Sequence, residues 1–509
     1  FGERIPFQLT PRSDQVQDAP VSHNLLLFPS IPLEPMGTYG LVVTDRLLDA
    51  TGEPLRRSAF FEAVVGDPEP GEAPEIAAAR PLAEEVLDAA AALSPLPIPR
   101  DDVLAMREDV QATAPNVIVT DVLPDPHPDV AAMIFGTFDA PVWVENGYVV
   151  RDDDGAPVPI GTAPVDFILA LPAAAAEGGR APIVMYQHGN PGNAPDEVPG
   201  AARDFLAPAG FAVGGMTDVA NRTFAAVLEQ TLAIFTYVLF FGEPPDWYLQ
   251  TYAEQMAFLR ALQSLDELDV LPLGDPDGVP DLDPSKILYE GISYGSVHAQ
   301  AFLAYSPDIL AAALVAGASR LAELIEYQDR TTPDGGPRLF VETLPAFLSD
   351  ARAPDLWLGL HLFAIAYDRQ DPHNHARFLF RDPVEVDGTT KKASLLVVEG
   401  LNDSFTKANT TRSLAWLLGP IPQLEPVAVP VLGLPSQAGP IQANIDADTT
   451  AAFVQFVPSG VGLPPTQGCD FQPEGHFCAQ TAPPARTQRL RFYTSALTGP
   501  PVIEFEPEL

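Results

Sequence analysis

Cysteine is nearly missing from this chain: two in 509 residues, beside four tryptophans, six methionines and eight histidines. So few thiols exclude a disulfide scaffold and a four-cysteine metal site, and leave the fold to a hydrophobic core. Positive charge is scarce too, 28 Lys and Arg against 68 Asp and Glu, for a formal net of −40. Such a field repels nucleic acid and anionic membranes, disfavours negatively charged substrates and helps carboxylate products leave. A saline habitat, where counter-ions screen self-repulsion, fits the same surplus. Long apolar runs are also lacking. The longest uncharged stretch, Thr231 to Gly242, has about twelve residues, and a bilayer needs roughly twenty, so no transmembrane segment is expected. Phe1-Gly2-Glu3-Arg4 has no basic start followed by an apolar stretch, which neither shows nor excludes export.

What is present is a globular composition, 46% hydrophobic and 19% charged, in a chain long enough for two domains. Residues 1–70 read as a small β-rich module. Thr38 to Thr44 alternates like a strand, Asp49 to Leu55 is turn chemistry, and Ser58 to Val65 reads as the neighbouring strand. Gly66 to Pro74 is the clearest linker. The second domain, 71–509, opens with a helical lead-in (71–116), with helices expected over Ala77 to Leu93 and Asp101 to Ala114. Strands are expected at Val117–Thr120, Ala132–Phe138, Val165–Ala170, 181–187, Phe211–Val213, 287–289, Ala312–Gly317, Ala393–Gly400 and Ala452–Val457. Their alternation with helical stretches implies a mostly parallel sheet covered on both faces, an α/β fold. Two aromatic-rich insertions, about 223–252 and 339–367, stand where a cap would shield a site; the alternative is that their rings simply fill a helical core.

Chemistry enters at Tyr289-Glu290-Gly291-Ile292-Ser293-Tyr294-Gly295. This Gly-x-Ser-x-Gly pattern falls between an apolar strand and a helix, where a strained turn lifts the serine clear of the sheet and larger residues two positions either side would collide. Pattern alone arises by chance in about one such chain in ten, so the flanking elements carry the reading. The helix beginning near Tyr294 points its free N–H groups at the place where a carbonyl oxygen becomes negative, and makes the Tyr294 N–H one oxyanion donor. Ala181 to Gln187 runs into His188-Gly189-Asn190-Pro191-Gly192, whose Asn190 N–H is the other expected donor. His188 is expected to order that loop rather than transfer protons.

The acid is sought after the strand 393–400, in Leu401-Asn402-Asp403-Ser404-Phe405. Asp403 is the candidate, with two alternatives: that it only caps a helix Thr406 to Leu418, or that Glu399 serves instead. Of the histidines only His476 follows Asp403, which makes it the base by order and elimination; it is read as a loop residue. His298 is expected to be packed. His373 and His375 have the spacing of a metal pair on a strand but no third ligand, so no metal and no cofactor are expected. Cys469 and Cys478 bracket His476; a disulfide there would restrain the base and suit an oxidising compartment, the alternative being free thiols.

Together Gly291-x-Ser293-x-Gly295, the 188–192 loop, Asp403 and Gly475-His476 resemble the α/β-hydrolase superfamily from about Val165 onward. The domain layout and Asp275 to Ile287 resemble, more narrowly, large secreted bacterial lipases and esterases of the virulence-factor lipase type, and residues 1–70 resemble small Ig-like modules of bacterial surface proteins. The resemblance implies a secreted or cell-surface/periplasmic serine esterase or lipase acting on neutral carboxylic esters, polyesters among them, through Ser293, Asp403 and His476. A serine peptidase on the same fold is the alternative, and an inert surface-binding protein the remote one. Oligomeric state is not legible.

Overall fold

The computed structural model describes residues 7–14, 22–29, 99–125, 127–224, 229–230, 233–234, 236–237, 244–324, 360, 364, 367, 369–419, 421–431, 433–470 and 473–505. By contacts the chain divides into two compact units, 1–31 with 99–509, and 32–98; every described residue belongs to the first. The strands expected at 38–44 and 58–65, the linker at 66–74 and the helix at 77–93 lie outside the described residues. So does most of the second insertion.

Strands β1 (Phe7–Asp14) and β2 (Ser22–Pro29) pair antiparallel. Helix α1 (Pro99–Ala112) follows, with Val103, Met106 and Val110 on its buried side, the spacing of one helical face. Next come β3 (Ile118–Pro124), β4 (Val130–Val142), the short pair β5 (Val144–Glu145) and β6 (Tyr148–Val149), β7 (Gly161–Pro172), β8 (Ala181–Gln187), α2 (Ala194–Ala201), β9 (Ala212–Met216), α3 (Val219–Thr223) and α4 (Trp247–Gln263). The rest comprises β10 (Leu282–Ile292), α5 (Tyr294–Ala304), β11 (Ile309–Val315), α6 (Pro372–Phe380), β12 (Ser394–Gly400), α7 (Ala408–Leu418), β13 (Gln423–Leu424), β14 (Ser436–Gln437), β15 (Ala451–Phe456), α8 (Gly475–Thr481) and α9 (Pro483–Ala496).

Eleven strands form one sheet in the order β14-β13-β15-β12-β11-β10-β8-β9-β7-β4-β3. From β9 through β14 neighbours run parallel, whereas β7, β4 and β3 attach antiparallel. The parallel strands read as unbroken apolar runs because both faces are covered. Along β8, Ile183 and Met185 enter the core shared with α1, α4, α5 and α7, while Val184 and Tyr186 enter the core shared with α2, α8 and α9. In β12, Leu395 and Val397 divide from Leu396 and Val398 in the same way.

Trp247, Tyr248 and Tyr252, at the end of the first insertion, belong to α4, where they are buried. Helix α5 is buried on all sides, which explains why it lacks a polar face. His298 lies within it between the rings of Tyr294 (4.3 Å), Tyr248 (4.8 Å) and Tyr252 (6.1 Å), and among the described residues neither ring nitrogen has a hydrogen-bond partner. Burial pushes its pKa down to about 4, so the unfolded chain, with a histidine near 6.5, binds the extra proton between those values and stability falls as pH drops from about 6.5 to 4. Replacing His298 by Phe removes that term. The wild-type unfolding free energy measured by urea titration should lose about 3 kcal/mol more than the variant's across this window; parallel profiles would contradict the assignment.

Candidate active site

Strand order reverses between β8 and β10. From β8 the chain moves outward to β9, then returns to the other side of β8 with β10 and continues to β11, β12 and β15. A crevice opens at such a switch point beyond the carboxyl ends of the strands, and ligands of open α/β sheets bind there. The turns that follow β8 and β10 carry Asn190 and Ser293, one on each side of it.

Ser293 has φ 54° and ψ −115°, outside the regions open to residues with a side chain, at a cost of about 1–3 kcal/mol. Its surroundings hold it there. The Ser293 N–H donates to Val315 O (2.8 Å), and Ser296 Oγ donates to Gly291 O and Val315 O (2.6 and 2.9 Å). A Cβ on Gly295 would lie 2.2 Å from Gln187 O, and one on Gly291 2.6 Å from Gly295 O, so the turn closes only with glycine at both places. The sheet and the turn have the α/β arrangement expected from the sequence, a mostly parallel sheet covered by helices with the serine at a strand-to-helix turn.

Below the turn, buried Glu290 of β10 accepts a hydrogen bond from the Tyr493 hydroxyl (3.0 Å) and lies 3.5 Å from the Arg489 guanidinium, both on α9. Burial raises its carboxyl pKa against the pull of Arg489. No local pattern marks these partners, since some 200 residues separate them.

The 188–192 loop is bound on several sides. His188, fully buried, meets Gly189 O through Nδ1 (2.7 Å) and accepts from the Asp218 N–H at Nε2 (3.2 Å), with an Asp218 carboxylate oxygen 3.3 Å away. It orders the loop, as expected. Glu197 accepts from the Gly189 N–H (3.2 Å) and the Tyr186 hydroxyl (3.0 Å), and Asn221 Nδ2 donates to Gly192 O (2.8 Å). Among the described residues the Asn190 N–H makes no hydrogen bond, and Tyr294, first residue of α5, has no carbonyl one turn earlier to receive its own N–H.

Asp403 and His476 meet. His476 Nδ1 lies 2.8 Å from Asp403 Oδ2, and both side chains are buried. The other carboxylate oxygen, Oδ1, accepts the N–H groups of Phe405 (2.8 Å) and Thr406 (2.7 Å). Asp403 therefore caps the turn that leads into α7 and faces the imidazole at once, one oxygen for each task. Thr406 was not anticipated: its hydroxyl reaches Asp403 Oδ2 (2.8 Å), Ala316 O (2.5 Å) and His476 Nδ1 (3.2 Å). Because Ala316 follows Val315, the acceptor of the Ser293 N–H, one short path of hydrogen bonds ties the Asp403–His476 pair to the serine turn. Among the described residues the Ser293 hydroxyl itself makes no hydrogen bond, to His476 or to any other group.

One expectation is corrected here, and the alternative acid is placed. His476 is not a loop residue but the second residue of helix α8, whose capping Glu474 accepts the His476 N–H (3.2 Å) and binds Ser404 through N–H and hydroxyl (2.8 and 2.6 Å). A run of seven residues closed in by Pro473 and Pro483 is too short to register as a helix. Glu399, the alternative acid, is fully buried against Arg412 (2.6 Å) and accepts from Gln455 (3.3 Å), which leaves it committed elsewhere; burial raises its pKa against the pull of Arg412.

His373 and His375 lie on helix α6, not a strand. The Tyr305 hydroxyl is 2.8 Å from His375 Nδ1 and an Arg320 guanidinium nitrogen 2.5 Å from His373 Nε2. Among the described residues no cluster of three or more His, Cys, Asp or Glu could hold a metal ion, and no helix is long and apolar enough to cross a membrane.

Cys469 and Cys478 form a disulfide, with Cα atoms 5.3 Å apart and Cys478 two residues past His476 on α8. Closing so short a loop is worth about 2–3 kcal/mol in chain entropy. A variant with both cysteines replaced by alanine should lose about that much in denaturant titration and turn over more slowly as α8 loosens. Equal stability and equal turnover would show the bridge to be dispensable.

No protein-family model matches the chain, and no curated protein matches it. Solved structures do. An acetyl xylan esterase from Paenibacillus sp. R4 is 16% identical, with 68% of this chain and 92% of that one covered and a TM-score of 0.36. The carboxyl esterase 2 of the mycorrhizal fungus Tuber melanosporum is 15% identical over 70% of this chain and 88% of that one (TM-score 0.33). An acylaminoacyl peptidase from Pyrococcus horikoshii is 12% identical over 78% and 51% (TM-score 0.36). Likeness this distant carries no functional argument, and the chemistry must be argued from this chain's own residues.

Proposed function

We propose that the protein is a serine hydrolase that cleaves neutral carboxylic esters through an acyl-enzyme on Ser293. The observation that carries the reading is the strained Ser293 turn at the sheet's switch point, joined by hydrogen bonds to a buried Asp403–His476 pair. In this reading His476 Nε2 takes the Ser293 proton as Oγ attacks the ester carbonyl, while Asp403 Oδ2 holds the proton on Nδ1 and steadies the imidazolium. The Asn190 and Tyr294 N–H groups receive the carbonyl oxygen as it becomes negative. The imidazolium then protonates the departing alcohol, and a water activated by the same base releases the acid. In this reading the Ser293 hydroxyl and His476 Nε2 come within hydrogen-bond reach when an ester enters, since catalytic hydrogen bonds are commonly made only in the substrate complex.

The net charge of −40 supports neutral esters over anionic ones and favours escape of the carboxylate product. The disulfide supports an oxidising compartment, secreted, periplasmic or at a bacterial cell surface. A lipase of the secreted virulence-factor type is the finer reading, with polyesters within its substrate class; it rests on sequence resemblance alone, in the order of the segments and in residues 275–287. A fluorophosphonate probe tests the proposal directly, because it labels an activated serine and not an inert hydroxyl. One label per chain at Ser293, with turnover of p-nitrophenyl esters, is the expected result. Absence of both would end the reading. A peptidase would show itself by faster turnover of peptide anilides than of matched esters.

A further inference from the structure

We infer that Gln230 is a positioning residue, a single amide that ties together the two halves of the oxyanion pocket. The inference rests on the hydrolase reading above. Gln230 comes from the insertion between α3 and α4, far in sequence from both halves, and its side chain is almost wholly buried. Asn190 Nδ2 donates to its Oε1 at 2.7 Å, and its own Nε2 donates to the Tyr294 hydroxyl at 3.0 Å. Asn190 and Tyr294 are the residues whose backbone N–H groups the mechanism assigns to the oxyanion.

Those donors sit on different segments, and the sheet does not fix their separation. The ladder between β8 and β10 ends at Gln187 and Gly291, three residues short of each donor. Beyond it the backbones come close, with a Cβ on Gly189 falling only 3.3 Å from Ser293 Cβ, but proximity alone does not hold two N–H groups at about 2.7–3.1 Å from one oxygen atom. A glutamine side chain suits the task because its amide is planar and presents an acceptor and a donor a fixed distance apart. Burial keeps water from substituting for either contact. The bridge also reaches into the fold: the Tyr294 ring packs edge-on against that of Tyr248 on α4, with centroids 5.8 Å apart, so the pocket is braced against a core helix. Neither the Gln230 side chain nor the Tyr294 ring touches the substrate in this scheme, so both act only by placing backbone groups.

The test compares Gln230→Leu, Tyr294→Phe and the double variant with wild type, each rate divided by the fraction of Ser293 labelled at completion by a fluorophosphonate. Loss of one oxyanion donor outright costs about 100-fold or more in kcat, so a donor merely displaced should cost on the order of 10-fold. Expected is that fall in kcat with KM changed by less than about twofold, because the pocket serves the transition state and not ground-state binding. The double variant should be no slower than the slower single one, since both changes break one connection. Normal kcat in both single variants, or losses that multiply in the double, would overturn the inference while leaving the hydrolase intact. A wild-type protein that takes no label would remove the hydrolase reading itself, and the inference with it.

Discussion

Replacing Ser293 by alanine is expected to lower ester turnover by about four orders of magnitude or more, to the residual level that oxyanion donors and binding sustain alone. Fold stability should not follow. Alanine keeps the Cβ and the same strained backbone, and the bonds that enforce the turn, Ser293 N–H to Val315 O and Ser296 Oγ to Gly291 O and Val315 O, involve no Ser293 side-chain atom. Activity and melting temperature of the purified variant, measured side by side, check both halves of the statement. A variant that keeps a tenth of the activity would mean that another group is the nucleophile; one that melts well below wild type would mean that the hydroxyl has a structural task not visible here.

The parts of the site that were legible in the sequence are local ones. Ser293 could be read because the elbow imposes glycine at 291 and 295 within five residues, and Asn190 because its loop follows a strand of unmistakable apolar character. Strand positions were readable for the same reason, since a parallel sheet buried on both faces leaves continuous runs such as Leu395 to Val398. Residues that act across long separations left no such trace. Thr406, Glu474, Gln230 and the Glu290–Arg489 pair each derive their place from a partner 64 to 199 residues away or from the packing of a different element. The helical state of His476 was hidden by brevity, because seven residues give periodicity too little length to show.

Helix α5 illustrates how the remainder of the chain serves the serine turn. Its N-terminus opens at the proposed oxyanion pocket, and its far end is met by two cations: Lys392 Nζ donates to Ala304 O (2.9 Å) and Arg107 Nε to Tyr305 O (2.8 Å). Both are almost wholly buried, and burial pushes the Lys392 pKa down to about 8. Positive charge at the carboxyl end of a helix complements its dipole and satisfies carbonyls that the helix leaves unpaired. In a chain so poor in Lys and Arg, two of the 28 are committed to this single helix end.

Asp403→Asn should be nearly as damaging as loss of the serine, with turnover falling on the order of 10⁴-fold while the fold persists. The reason lies in how the carboxylate is held. Oδ1 accepts two backbone N–H groups, from Phe405 and Thr406, and an amide NH2 in that position would place donor against donor. Asparagine must therefore keep its oxygen there and turn its nitrogen toward His476, where Oδ2 now lies 2.8 Å from Nδ1. An NH2 group facing Nδ1 forces that nitrogen to accept, which moves the imidazole proton to Nε2, the atom that has to take the proton from Ser293. The base is then present, correctly placed and in the wrong tautomer. Thr406→Val offers the contrast, since it removes a hydroxyl from the same cluster but leaves the carboxylate, and should cost only about 10-fold. Nitrogen-15 shifts of the imidazole read the tautomer directly: Nδ1–H in wild type and Nε2–H in the asparagine variant are expected. An asparagine variant that retains most of its turnover would remove Asp403 from the mechanism.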